Sequence, residues 1–175
     1  MQRKKILIVY FSRSGRTKAL ARNMGMVIGA DICELVPEKP YPSNYFSCIG
    51  AALKEMKSNA RPKIQSEVPD PSGYDYVMAG FPVWCNVCPN IIFSFFDMYR
   101  EQLKDRKIYL FCTHGGSKVP KKIVSDMKRI SGMNFAGCMD GNEMNEYDTR
   151  AWLGLEIPDY VKPPVVPETK SKKLR

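Results

Sequence analysis

Three short stretches hold residue types that grip small polar ligands. In "SRSGRT", residues 12–17, the hydroxyls of Ser12, Ser14 and Thr17 and the main-chain amides around Gly15 can converge on one anion at the positive end of a following helix. Gly15 allows close backbone approach and a left-handed turn, having no Cβ to clash. The spacing matches neither the P-loop G-x-x-x-x-G-K-[ST] nor the dinucleotide fingerprint G-x-G-x-x-G, so the anion expected is a terminal phosphate, as in a mononucleotide. Helix capping by Ser14 alone is the plainer role for the same residues. "PVWCN", residues 82–86, sets the large ring of Trp84 after Pro82 and Val83 and before Cys85 and Asn86, the last a residue that tolerates positive φ. A core lid is the plainer role for that Trp. "THGG", residues 113–116, joins Thr113 and the only histidine, His114, to the backbone freedom of Gly115 and Gly116.

The cysteines offer a rival chemistry. Cys85 and Cys88 form a C-x-x-C, and Cys112 and His114 come from an adjacent strand end, so three thiols and an imidazole could hold zinc or an iron–sulfur cluster. A dithiol relay is the other use of such a pair. Cys112 and His114 are two residues apart across a strand end, which does not give them a common facing. The expectation is therefore no metal, and unpaired thiols in a reducing compartment; six cysteines scattered over 175 residues do not make a disulfide scaffold.

These loops need a frame. Apolar, β-branched and aromatic runs at Lys5 to Phe11, Asp31 to Val36, Tyr76 to Phe81 and Ile108 to Thr113 predict strands buried on both faces, with a weaker one at Asn134 to Cys138. Between them the spacing turns helical: Leu20, Met24, Val27; Tyr45, Ile49, Leu53, Met56; and Ile123, Met127, Ile130. A further helix is expected from Pro89 through "NIIFSFFDMYR", and a short last one around Trp152 and Leu155. Strands alternating with helices predict an α/β fold with a parallel sheet covered on both faces, whose ligand lies beyond the carboxyl ends of the strands. All three polar loops fall at that edge.

With the loops placed, the segments "KILIVYFSRSGRTKALA", "ELVPEKPYPSNY", "YDYVMAGFPVWCNVCPNIIFSFFD" and "IYLFCTHGGSKV", in this order, resemble the short-chain flavodoxins with P-x-W and T-x-G-G loops, over roughly residues 4 to 155. The resemblance implies a flavodoxin-like three-layer sandwich with a five-stranded parallel sheet in the order 2-1-3-4-5, and non-covalent FMN at its carboxyl edge. It further implies that Ser12, Ser14, Gly15, Arg16 and Thr17 hold the phosphate. Pro82, Val83, Trp84, Cys85 and Asn86 would line one side of the flavin ring, and Thr113, His114, Gly115 and Gly116 the other. Two positions depart from the pattern. Many relatives carry a second aromatic and a Gly where this chain has Cys85 and Asn86; Asn86 is expected at positive φ and Cys85 in an ordinary region. Arg16 replaces a common Asn and puts a cation either beside the phosphate or into solvent.

The function implied is electron transfer by an FMN protein, the flavin supplying the chemistry and the chain its position and electrostatics. The alternative on the same scaffold is an NAD(P)H-dependent quinone or flavin reductase, with His114 orienting a quinone oxygen. No side chain is expected to be catalytic in the carrier. The formal net charge is +9, of which +4 lies in the Pro- and Lys-rich stretch 162–175, "KPPVVPETKSKKLR". One domain over 1–161 and a flexible basic tail over 162–175 are expected. The tail lacks the aromatic residues of a single-strand binder, which argues against nucleic acid. A basic body should select an acidic redox partner. One net charge about 10 Å from the flavin, at an effective dielectric of about 40, shifts a one-electron couple by roughly 0.8 kcal/mol, on the order of 35 mV. No apolar run approaches the roughly 18 residues of a membrane span, and the first residues lack a small-residue cleavage site, so a cytoplasmic location is expected.

Overall fold

The computed structural model describes residues 4–116, 119, 122–142, 149 and 151. Five strands form one parallel sheet: β1 (Ile6–Tyr10), β2 (Asp31–Glu34), β3 (Tyr76–Pro82), β4 (Lys107–Thr113) and β5 (Phe135–Asp140). Their order is β2-β1-β3-β4-β5, every neighbouring pair parallel. The helices are α1 (Arg16–Ile28), α2 (Tyr45–Ser58), α3 (Asn90–Met98), α4 (Arg100–Leu103) and α5 (Ile123–Ser131). The expected strands are all present, the fifth running two residues further than its apolar pattern, to Asp140. The short helix expected around Trp152 and Leu155, and the tail 162–175, lie outside the described residues.

Alternation along the strands divides the core in two. Ile6, Ile8 and Tyr10 join Met78, Tyr109 and Phe111 under Ala21, Met24 and Ile28 of α1. Leu7 and Val9 face the other way with Val77, Ala79, Leu110 and Cys112, covered by α2, α3 and α5. The three central strands are buried on both faces, which is why their sequences are almost unbroken apolar runs. The five residues of β1 are all buried.

Helix boundaries follow local chemistry. Gly29, at φ 64, ends α1 in a left-handed cap. The Asn44 side chain caps α2 by accepting from Ser47 N–H at 3.2 Å, and Asn59, at φ 51, ends it. One expectation fails: the stripe Tyr45, Ile49, Leu53, Met56 is not the buried face of α2. The buried residues are Cys48 and Ala52, while Tyr45 and Met56 are exposed. The core there is already filled by the rings of Phe11, Tyr41 and Trp84, so the helix presents its small side chains to it.

Gly80 in β3 shows how tightly the α1 face is packed. A Cβ there would lie 2.0 Å from the nearest carbon of the fully buried Phe111 ring. Gly80→Ala is expected to destabilise the fold by about 1–3 kcal/mol through overpacking. Urea denaturation followed by circular dichroism measures it, and a midpoint equal to wild type would contradict this packing.

Candidate functional site

The parallel sheet brings three loops to one edge, and Thr113 at the end of β4 joins them. Its hydroxyl lies 2.8 Å from the hydroxyl of Thr17 in the first turn of α1, and both residues are buried. Its carbonyl accepts from Val83 N–H at 2.8 Å. Side chain and main chain of one residue therefore hold the first loop and the second.

In the first loop, Gly15 takes the helix N-cap position at φ 88, and no side chain caps the helix. The plainer role for Ser14 is thus overturned: Ser14 is exposed, and Ser12 Oγ accepts from Gly15 N–H at 3.1 Å. The uncapped first turn of a thirteen-residue helix leaves amide donors at its positive end. A Cβ at Gly15 would meet nothing within 4 Å, so the space above the loop is open. Arg16 is exposed as the first residue of α1. Arg13, which the motif reading passed over, donates to the Ser43 carbonyl and sits over the Tyr45 ring at 5.9 Å. Its Nε is buried with no acceptor among the described residues. Hydroxyls, free amides and a guanidinium make a donor set suited to a phosphate.

The second loop closes as a two-residue turn. Trp84 and Val87 exchange both main-chain hydrogen bonds, at 3.0 and 2.9 Å, and between them Cys85 and Asn86 have φ 48 and 66. Positive φ at both central positions is the pattern of a type I′ turn. Asn86 is as expected; Cys85 is not, because the turn's handedness forces it out of the ordinary region. Trp84 is 6% exposed and stands edge-on to Phe11 and Tyr41, with ring centroids 5.5 and 5.1 Å away. It is a buried pillar beneath the loop, and Cys85 and Asn86 form the exposed tip. Tyr41 is fixed in turn by donating its hydroxyl to Glu55 at 2.7 Å, where burial pushes the Glu55 carboxyl up.

The third loop is held from β5. His114 is buried, its Nε2 2.9 and 3.0 Å from the two Asp140 oxygens and its Nδ1 2.9 Å from the Gly116 carbonyl. Asn142 donates its side-chain amide to the His114 carbonyl at 2.9 Å and its main-chain N–H to Asp140 at 2.9 Å. Burial raises the Asp140 carboxyl, but hydrogen bonds from His114, Asn142 N–H and Val119 N–H outweigh it and keep the group below its ordinary value. Both ring nitrogens of His114, expected in the reductase alternative to orient a quinone oxygen, have partners within the chain. Gly115 and Gly116 are exposed with open space above them. Asp140 and Asn142 escaped the motif reading, although "DGN" at the end of a strand at this edge is a turn signal.

The thiols do not assemble a site. Cys85 is exposed at the turn tip while Cys88 is buried, and burial pushes the Cys88 thiol well up. Cys112 shares a hydrogen bond with Cys138, and that bond together with burial raises the Cys112 thiol. Among the described residues no group of three or more His, Cys, Asp or Glu is placed to hold a metal.

Comparison with known proteins gives this geometry a context. A family model described as Flavodoxin matches residues 5–155. A protein of Bacteroides eggerthii DSM 20697 described as a flavoprotein is 30% identical, with a TM-score of 0.76 over 86% of this chain and 96% of that one. A flavoprotein from Lactobacillus acidophilus NCFM in complex with FMN is 27% identical, with a TM-score of 0.72 over 86% and 99%. Two-electron reduced Megasphaera elsdenii flavodoxin, 19% identical over 85% and 95%, shares the fold at a TM-score of 0.51. No curated protein matches the chain.

The left-handed torsion at Cys85 costs a non-glycine residue about 1–2 kcal/mol, partly offset by the greater unfolded-state freedom of glycine. Cys85→Gly is therefore expected to raise stability by about 0.5–1 kcal/mol. Chemical denaturation checks the sign, and a loss of stability would rule out the I′ geometry.

Proposed function

This chain belongs to the flavodoxin family, and from that premise we propose that it binds FMN non-covalently at the carboxyl edge of the sheet and serves electron transfer. The observation that carries the reading is the Thr113 junction: three loops of the right chemistry are tied to one point, one rich in donors and two offering small or main-chain surfaces. Ser12, Ser14, Thr17, Arg13, Arg16 and the first amides of α1 would hold the phosphate. The Pro82–Asn86 loop and the Thr113–Gly116 loop would flank the ring, with Trp84 supporting the first of them from beneath. Bound flavin would supply the redox chemistry; the chain binds it, orients it and shields it from water on two sides. The buried, fully bonded His114 favours the carrier over a reductase, since it leaves no free imidazole in the third loop to orient a quinone.

The +9 net charge supports an acidic redox partner, met with an association rate that falls as salt rises. No helix among the described residues is long and apolar enough to cross a membrane. We place the protein in the cytoplasm, as one flavin-binding domain over 1–161 followed by the basic segment 162–175.

Purified protein is expected to be yellow and to release FMN on denaturation. It should oxidise NAD(P)H negligibly unless a separate reductase is added; steady turnover of nicotinamide with a quinone alone would favour the reductase. The double variant Ser14→Ala, Thr17→Ala should bind FMN at least about tenfold more weakly, because hydrogen bonds to a charged phosphate are worth roughly 1.5–3 kcal/mol each. Fluorescence titration of FMN gives the affinity, and a double variant within twofold of wild type would remove the phosphate assignment.

A further inference from the structure

The third loop cannot shape itself. Gly115 and Gly116 are exposed, carry no side chains and, among the described residues, have no neighbour within 4 Å of a would-be Cβ, so no side chain of their own restricts their path. Their path is imposed from β5. Register pairs Cys112 with Asp140, which sets the Asp140 carboxylate beside the start of the loop. The following turn is pressed against β4, with Gly141 N–H donating to the Cys112 carbonyl at 2.8 Å. A Cβ on Gly141 would lie 2.4 Å from the Leu20 side chain and 2.8 Å from that carbonyl, so the turn has no room for a larger residue. From this fixed base Asp140 reaches His114 Nε2 with both oxygens, while Nδ1 meets the Gly116 carbonyl.

We propose that Asp140 is a positioning residue for the flavin site, setting the course of the 113–116 loop through the His114 ring. The inference rests on the FMN reading above. Asp140 and His114 act as one strut: carboxylate to Nε2, ring, Nδ1 to the Gly116 carbonyl, so the glycine pair is held from two residues away. Both partners of the ring are acceptors, so the ring satisfies both only when each nitrogen carries a hydrogen. Asn142 completes the strut by donating to the His114 carbonyl at 2.9 Å. The effect of Asp140 on the loop passes through His114.

The test uses the full chain labelled with 15N, in which a single histidine makes the ring signals unambiguous. Flavin-free wild type should show both ring N–H protons protected from exchange with water. Asp140→Ala should lose the Nε2–H signal and bind FMN at least tenfold more weakly. If that variant does not fold, Asp140→Asn, which keeps the shape and an acceptor oxygen, should still weaken FMN at least threefold. A wild-type ring without a protected Nε2–H, or a folded Asp140→Ala with FMN affinity within twofold of wild type, overturns the proposal. Failure of wild type to take up FMN at all would sink the binding reading instead, and the ring signals of the flavin-free protein would still decide whether the strut exists.

Discussion

A parallel sheet delivers every strand's carboxyl end to the same edge, and the loops leaving that edge have no ladder partners of their own. Here the constraint is met by one residue. The hydroxyl of Thr113 reaches the first turn of α1, its carbonyl takes the amide of Val83, and the peptide after it leads into the His114 contacts. Three segments far apart in the chain, the outer two separated by 96 residues, are thereby held relative to β4, an interior strand of the sheet whose last six residues are all buried. A site assembled this way inherits the rigidity of the core instead of depending on the loops themselves.

The two loops that follow β3 and β4 solve the same problem by different means. The first rests on rings: Trp84, Phe11 and Tyr41 meet edge to face, and the Tyr41–Glu55 hydrogen bond ties that cluster to α2. The second rests on polar contacts from the β5 turn. In each, the residue with a substantial side chain, Trp84 or His114, is turned inward as a support, and what reaches solvent is small: Cys85 and Asn86 in one, Gly115 and Gly116 in the other. A flat ligand seated between them would meet mostly backbone.

Much of this frame was legible from residue types. The apolar runs located all five strands because the central ones are buried on both faces, and the polar stretches 12–17, 82–86 and 113–116 fell at the carboxyl edge as α/β topology requires. What stayed hidden depended on packing at a distance. The buried face of α2 could not be read from its large apolar residues, because the rings of Phe11, Tyr41 and Trp84, all outside the helix, had already filled the space and left Cys48 and Ala52 to face inward. The positive φ of Cys85 is set by a two-residue turn whose closing pair is visible only once Trp84 and Val87 are seen to bond. Asp140 looks like an ordinary strand-end carboxylate until the register of β4 and β5 brings it to His114.

The Thr17–Thr113 contact has a consequence of its own. Two hydroxyls bring two hydrogens, and a single bond between them consumes one. Whichever oxygen gives, the other keeps a hydrogen it can turn elsewhere, and swapping the roles needs only two rotations about C–O bonds. The pair can therefore offer its spare hydrogen from either oxygen without moving the backbone.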